Sequence, residues 1–264
     1  MSGTIFHPAF KPKPFWWDTY EPKALELVEV PARTRVAIIG AGYAGLACAL
    51  ELSKLGIETV VLDAEMPGFG ASSRNGGMVS GGVSIGKRYS GQNTPAELLA
   101  LYADAAASFT LTEGLIAEEN IDCEWKKAGR FVGAWCRKHY AAMEKKISLL
   151  NEGAGAGAYL LPPSRQREEI GSDYYHGGMV VMRSAHLHPA LYFKGLLEAV
   201  KGRGATICAK APAAQISQTN GSWSIKTPRG NLVASEVVVC TNGYTGPVTP
   251  ALQRRVVPVG SYII

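Results

Sequence analysis

Cysteine is scarce and scattered. The five in this chain of 264 residues, Cys48, Cys123, Cys136, Cys208 and Cys240, form no CxxC pair and no metal-ligand spacing. Neither a disulfide framework nor a zinc site is expected, and an odd count of isolated thiols suits a cytosolic protein. Long apolar runs are missing too, so no stretch approaches the length of a membrane span. The N-terminus, with Lys11, Lys13 and repeated prolines, lacks the apolar core of a signal peptide. Runs of Lys and Arg are absent. Twenty-seven basic against 22 acidic residues leave a net charge of +5, too mild and too dispersed for a nucleic-acid surface. His176, His186 and His188 stand near one another without zinc-site spacing, and His188 before Pro189 reads as a helix start. The expectation is a soluble, cytoplasmic protein with no nucleic-acid partner, no membrane span and no metal.

Glycine is abundant, at 30 residues, and it is clustered, which points to backbone held close to something. With 47% hydrophobic residues, the chain can bury a core spanning one or two domains. Val36-Ala37-Ile38-Ile39 is a buried-strand run ending directly on glycine. Helical spacing follows from Ala44 to Leu55, closed by Gly56. Thr59-Val60-Val61-Leu62 is a second buried strand, ending at Asp63. Together these make a βαβ unit of about 30 residues.

Between its first strand and its helix stands Gly40-Ala41-Gly42-Tyr43-Ala44-Gly45. A GxGxxG string is weak alone. It gains meaning from the strand before it, the helix after it and the acid at the next strand end. Gly40 allows the tight turn, Gly42 the approach of a pyrophosphate, and Gly45 close packing of helix on strand. The helix start offers N–H groups and partial positive charge to phosphates. Asp63 can accept hydrogen bonds from both ribose hydroxyls and disfavours a 2′-phosphate. This string serves NAD and FAD alike.

The stretch Gly68-Phe69-Gly70-Ala71-Ser72-Ser73-Arg74-Asn75-Gly76-Gly77 separates them. It combines hydroxyls, a guanidinium and glycine N–H groups, suited to wrapping a diphosphate and the edge of a flat ring. An NAD-type domain would proceed straight to a helix. Ala71, Ser72, Arg74, Asn75, Gly76 and Gly77 therefore join the candidate contacts, and FAD is the expected cofactor.

Elsewhere, residues 1–30 are irregular, and the aromatic segment Phe15-Trp16-Trp17-Asp18-Thr19-Tyr20 reads as a packed arm. Thr94-Pro95-Ala96-Glu97 is a capping box with proline at the first helical position, opening a helix to about Glu118. A helix is predicted over Lys138 to Leu150 and another from Pro189 to about Lys201. The run Gly153–Ala158 is too short to be a linker of consequence. Short strands are predicted at Thr206–Cys208, Ala214–Gln218, Trp223–Thr227, Asn231–Val233 and Val237–Cys240. Trp125, Trp135, Tyr174 and Tyr175 are expected to pack in a core.

These residues resemble the D-amino-acid-oxidase-like FAD-dependent oxidoreductases, nearest the branch that includes gamma-glutamylputrescine oxidoreductase. The resemblance rests on the aromatic arm, Val36–Gly45, Gly70–Gly77, Tyr175-His176-Gly177-Gly178, Leu187-His188-Pro189-Ala190 and Val238–Thr245. It implies an α/β fold: a Rossmann-like FAD domain of the glutathione-reductase type with a second, α+β substrate domain. By this resemblance, residues 1–29 form the arm, 30–92 with 185–247 the FAD domain, and 93–184 with 248–264 part of the substrate domain. The strand near Ala211, a candidate contact, would meet the adenine side, and Cys240 to Asn242, with Thr241 a contact, would lie near the cofactor. The implied reaction is oxidation of a C–N bond of an amine or amino acid by hydride transfer to flavin, and no catalytic side chain is singled out. Relatives of this kind continue well beyond Gly260-Ser261-Tyr262-Ile263-Ile264, so a C-terminally truncated chain is expected. The alternatives are an FAD-binding relative without catalysis and an NAD-dependent dehydrogenase.

Overall fold

The computed structural model describes residue 7, residues 9–81 and residues 94–260. In chain order the elements are β1 (Arg33–Ile39), α1 (Tyr43–Lys54), β2 (Thr59–Leu62), β3 (Met78–Ser80), α2 (Pro95–Glu118) and β4 (Arg130–Gly133). There follow α3 (Arg137–Ala154), β5 (Ala158–Leu161), β6 (Gly178–Val181), β7 (Ser184–His186) and α4 (Pro189–Gly202). Last come β8 (Thr206–Cys208), β9 (Gln215–Thr219), β10 (Ser222–Thr227), β11 (Gly230–Val239) and the short α5 (Pro250–Gln253). Two compact units result. One takes the chain to Asn75 and again from Pro189, and the other spans Gly76 to His188. The expected boundary at 92/93 lies outside the described residues. Residues from 248 onward, expected with the substrate portion, cluster with the first unit; the terminal residues 261–264 lie outside the description.

The first unit is built on a six-stranded sheet in the order β8-β2-β1-β11-β10-β9. β8, β2, β1 and β11 run parallel, and β10 and β9 add antiparallel strands at one side. All four residues of β2 are buried, as are Val36 to Ile39 of β1, the mark of strands covered on both faces. Alternation then divides their side chains. Ala37, Ile39, Val60 and Leu62 join Cys208, Ile225, Leu232 and Ala234 in one cluster, while Ile38 faces Gly45 of α1. α1 buries Gly45, Leu46, Ala49 and Leu50. α4 buries Ala190, Phe193, Leu196, Leu197 and Val200, a stripe at helical spacing.

β11 corrects the expectation of two short strands at Asn231–Val233 and Val237–Cys240. It runs unbroken through Ser235 and Glu236, both exposed. Those polar residues interrupt the apolar pattern but not the backbone pairing. The first half of β11 pairs with β10 and the second half with β1, from Arg33↔Val233 to Ile39↔Val239.

The second unit carries a three-stranded antiparallel sheet, β4-β6-β5, and a two-stranded ladder of β3 with β7. α2 and α3 cover a core of Tyr102, Ala106, Leu150, Ala154, Ala156, Ala158, Met179 and Val181. The Gly/Ala run is not idle here. Gly155 ends α3 in the left-handed conformation (φ 53°), and Ala158 begins β5, the usual way for glycine to stop a helix. Trp135 and Tyr174 are not core residues: they are 63% and 72% exposed. Their rings and that of Tyr175 meet edge-on, with centroids 5.6–5.8 Å apart. Trp125 does pack inward, tilted against Phe109 at 5.6 Å.

Among the described residues, no helix is long and apolar enough to cross a membrane, and no group of three or more His, Cys, Asp and Glu side chains could hold a metal ion.

At the start of α2, the Thr94 hydroxyl accepts from the Glu97 amide (3.3 Å), and the Glu97 carboxylate accepts from the Thr94 amide (2.7 Å). Thr94→Ala is expected to destabilise the protein by about 1 kcal/mol, the usual worth of an N-cap. Urea denaturation checks this, and an unchanged midpoint would count against the cap.

Candidate cofactor-binding site

The site begins where three parallel strands end together. The Gly40 amide donates to the Leu62 carbonyl (2.8 Å), and the Cys240 amide donates to the Ile39 carbonyl (2.8 Å). Gly40 adopts φ 108°, and a Cβ there would stand 2.7 Å from the Cys240 carbonyl oxygen. Only glycine fits this turn. Gly42 is extended, and α1 starts at Tyr43. A Cβ on Gly45 would lie 1.8 Å from the Gly40 carbonyl oxygen, so the helix meets the strand end backbone to backbone. Thr241 follows Cys240, its hydroxyl 2.8 Å from that of Thr245.

Asp63, at the end of β2, is committed to the backbone around it. One carboxylate oxygen accepts from the Ala41 amide (2.7 Å) and the other from the Glu65 amide (2.9 Å). The Asp63 amide donates to the Cys208 carbonyl, and its own carbonyl accepts from the Ala211 amide at 2.7 Å. Ala211 is buried beside Asp63 but lies past the end of β8, not on a strand. Next to it Lys210, at φ 53°, pairs with the Glu65 carboxylate. Burial pushes the Asp63 carboxyl above its ordinary value, while the Ala41 and Glu65 amides pull it down less strongly.

The loop after β2 folds back onto the helix start. The Ser72 hydroxyl oxygen accepts from the Tyr43 amide (3.0 Å), which leaves the hydroxyl proton available to another acceptor. Asn75 donates to the Tyr43 hydroxyl (3.3 Å) and to the carbonyls of Ala71 and Ser72. Tyr43 in turn donates to the Pro189 carbonyl (2.9 Å), and its ring meets Tyr192 edge-on. Arg74 is occupied elsewhere: it bonds the Phe69 carbonyl and lies over the rings of Trp17 and Phe69. The first unit thus brings together Gly40–Gly45, Asp63, Ala71–Asn75, Ala211 and Thr241. Gly76 and Gly77 belong to the other unit, where the Gly77 carbonyl accepts from the Leu187 amide (2.9 Å).

Sequence reasoning missed the partners of this loop. Ser73 is fully buried and donates to the Gly68 carbonyl (2.6 Å). It accepts from the Trp17 indole, while the Trp16 indole donates to the Asn75 carbonyl. The adjacent tryptophans of the arm were the available signal.

Among known proteins, the family described as FAD dependent oxidoreductase (DAO) matches residues 35–264. The chain belongs to that family. FAD is its cofactor, which decides between the two dinucleotides that the glycine string leaves open. The local chemistry fits such a cofactor. In the first turn of α1 the amides of Ala44 and Gly45 precede the first intrahelical bond, from the Leu46 amide to the Gly42 carbonyl. They stand beside a position without a side chain and a hydroxyl with a proton to give, a combination suited to a diphosphate.

The gamma-glutamylputrescine oxidoreductase of Escherichia coli is 31% identical over 87% of the chain, and the probable oxidoreductase OrdL of Haemophilus influenzae 29% identical over 87%. The chain spans about half the length of these relatives, 54% in each case. The crystal structure of glycine oxidase from Geobacillus kaustophilus shares the fold, with a TM-score of 0.71 at 20% identity over 84% of this chain and 59% of that one.

Because Asp63 holds the Ala41 amide, Asp63→Ala is expected to leave a buried donor unpaired and to cost about 1–3 kcal/mol even without ligand. Asp63→Asn, which keeps an acceptor, is expected to cost less. The raised carboxyl also sets a pH trend. Its contribution to stability is complete below the unfolded value and lost as pH rises through the folded one, and Asp63→Asn removes that slope. Denaturant titrations across acidic pH check both, and equal stabilities for the two variants would refute the tie to Ala41.

Proposed function

We propose that the unit containing Gly40–Asn75 and the chain from Pro189 holds FAD, and that the unit from Gly76 to His188 bears the substrate. The protein oxidises the C–N bond of an amine or amino acid, gamma-glutamylputrescine or a related compound, in the reducing cytoplasm, where its five free cysteines would remain thiols. One observation carries the reading: the Ser72 hydroxyl is bonded to the first amide of α1, beside the Gly40–Gly45 turn and within the family match. The name of the E. coli relative supports the substrate class.

FAD, when bound, supplies the hydride acceptor, as cofactors do for the protein that orients them. The chain's own part is to hold and shield. The amides of Ala44 and Gly45 and the Ser72 hydroxyl donate to the pyrophosphate. Gly40, Ala41 and Gly42 let the backbone close on it. Asp63 keeps acceptor capacity beyond its two amide bonds, since each carboxylate oxygen offers two lone pairs, and that capacity receives the adenosine ribose hydroxyls. Ala211 and Thr241 border the same strand ends.

Gly42→Val is expected to weaken FAD binding by roughly 100-fold or more, as befits the loss of about two charge-assisted hydrogen bonds. Even a Cβ there would stand 2.9 Å from the Ser72 hydroxyl oxygen. The visible flavin spectrum of the purified variant, beside the wild type, reads this, and stoichiometric flavin in the variant would overturn the placement.

Mixing the FAD-loaded protein anaerobically with gamma-glutamylputrescine, simple diamines and amino acids is expected to bleach the flavin with at least one of them. Bound flavin that no C–N substrate bleaches would leave the cofactor site standing and refute turnover by this chain.

A further inference from the structure

Residues Gly68 to Asn75 contain a single short 3-10 turn, Ala71–Ser73, and no other regular element. Such a stretch loses much conformational freedom when it closes on a ligand. Yet Ser72 stands in hydrogen-bond contact with the start of α1, and Ser73 is fully buried. Besides the loop's own bonds, such as that from the Ser73 hydroxyl to the Gly68 carbonyl, two bonds reach it from the N-terminal arm. The Trp17 indole donates to the Ser73 hydroxyl oxygen at 2.9 Å, and the Trp16 indole donates to the Asn75 carbonyl at 2.8 Å. Between these two anchors Arg74 lies with its guanidinium 4.9 Å from the Trp17 ring centre and 5.2 Å from that of Phe69, within cation–π range.

The arm is itself held by local contacts. Phe15–Asp18 forms one 3-10 turn after Pro14. Lys11 and Lys13 both pair with Asp18, at 2.9 and 3.1 Å. The Phe15 ring packs edge-on against Trp16. The two indoles are half-buried against the loop.

We propose that Trp16 and Trp17 are positioning residues for the cofactor: they pre-order the Ser72–Asn75 loop so that the Ser72 hydroxyl meets the FAD diphosphate without a further ordering cost. The proposal rests on the FAD reading above. Ordering a loop before its ligand arrives raises affinity by removing that cost from binding. Trp17 fixes Ser73, the neighbour of Ser72. Trp16 fixes Asn75, whose amide nitrogen donates to the Ser72 carbonyl (3.3 Å) and to the Tyr43 hydroxyl. Both anchors thus fall just after Ser72, one at its chain neighbour and one at the residue that bonds its carbonyl.

Trp16→Phe and Trp17→Phe each delete one N–H donor and keep a ring for Arg74 and Phe15. FAD affinity of the flavin-free full chain, followed by quenching of flavin fluorescence, is expected to fall about 2- to 10-fold for each, the range of one net hydrogen bond. Amide hydrogen exchange in the flavin-free variants is expected to quicken over residues 68–75 and to stay unchanged in β1 and β11. A purely structural role would spread the change through the sheet. If both variants bind FAD as tightly as wild type, or the loop exchanges at its wild-type rate, the positioning role is wrong while the FAD site stands. If exchange quickens in the sheet as well, the tryptophans are general scaffold and the proposal falls. A wild-type chain that takes up no FAD would sink the cofactor reading first and this proposal with it.

Discussion

The candidate site depends on one contact between two stretches of main chain. α1 reaches the ends of β1 and β11 because position 45 carries no side chain: a Cβ there would sit 1.8 Å from the Gly40 oxygen. Gly40 has its own neighbour in the Cys240 carbonyl. Strand, turn, helix and returning strand are thus locked at backbone distance. The orientation of the helix start follows, and with it the direction of the amides that would meet a phosphate. Side chains at these positions would not merely weaken the site; they would separate the layers that form it.

Much of this was legible in the chain itself. The βαβ unit, the capping box at Thr94 and the helix from Pro189 each rest on local rules of periodicity and capping, and each stands close to where those rules put it. Ser235 and Glu236 break the apolar pattern of β11 and make one strand look like two, although pairing is a property of the backbone. β4, β5, β6 and β7 went unread. They are three or four residues long, and β5 (Ala158-Tyr159-Leu160-Leu161) directly follows a run of glycine and alanine that masks its start. Stretches this short show no period of their own, and pairing with neighbouring strands completes them.

The site divides the same way. Gly40 to Gly45 and Asp63 announce themselves through their spacing together with the strand, helix and strand around them. The bonds from Trp16 to Asn75 and from Trp17 to Ser73 span 59 and 56 residues, and no periodicity reports a contact of that kind. Asp63 shows a subtler limit. Its position makes it a candidate ligand for ribose, but its two amide bonds make it a structural brace, and that duty depends on where Ala41 turns.

The central place of β11 has a consequence for how the chain comes to be folded. β1 is flanked by β2 on one side and β11 on the other, and Ile39 pairs with Val239. During synthesis β1, α1 and β2 emerge early, but the strand that closes the open side of β1 is made only after the whole second unit. Pairings so distant in sequence are slow to form, and an open strand edge invites partners from other chains. A nascent chain would therefore carry β1, α1 and β2 with one edge bare while the whole second unit is made, a period in which chaperones or early cofactor capture would have the most to protect.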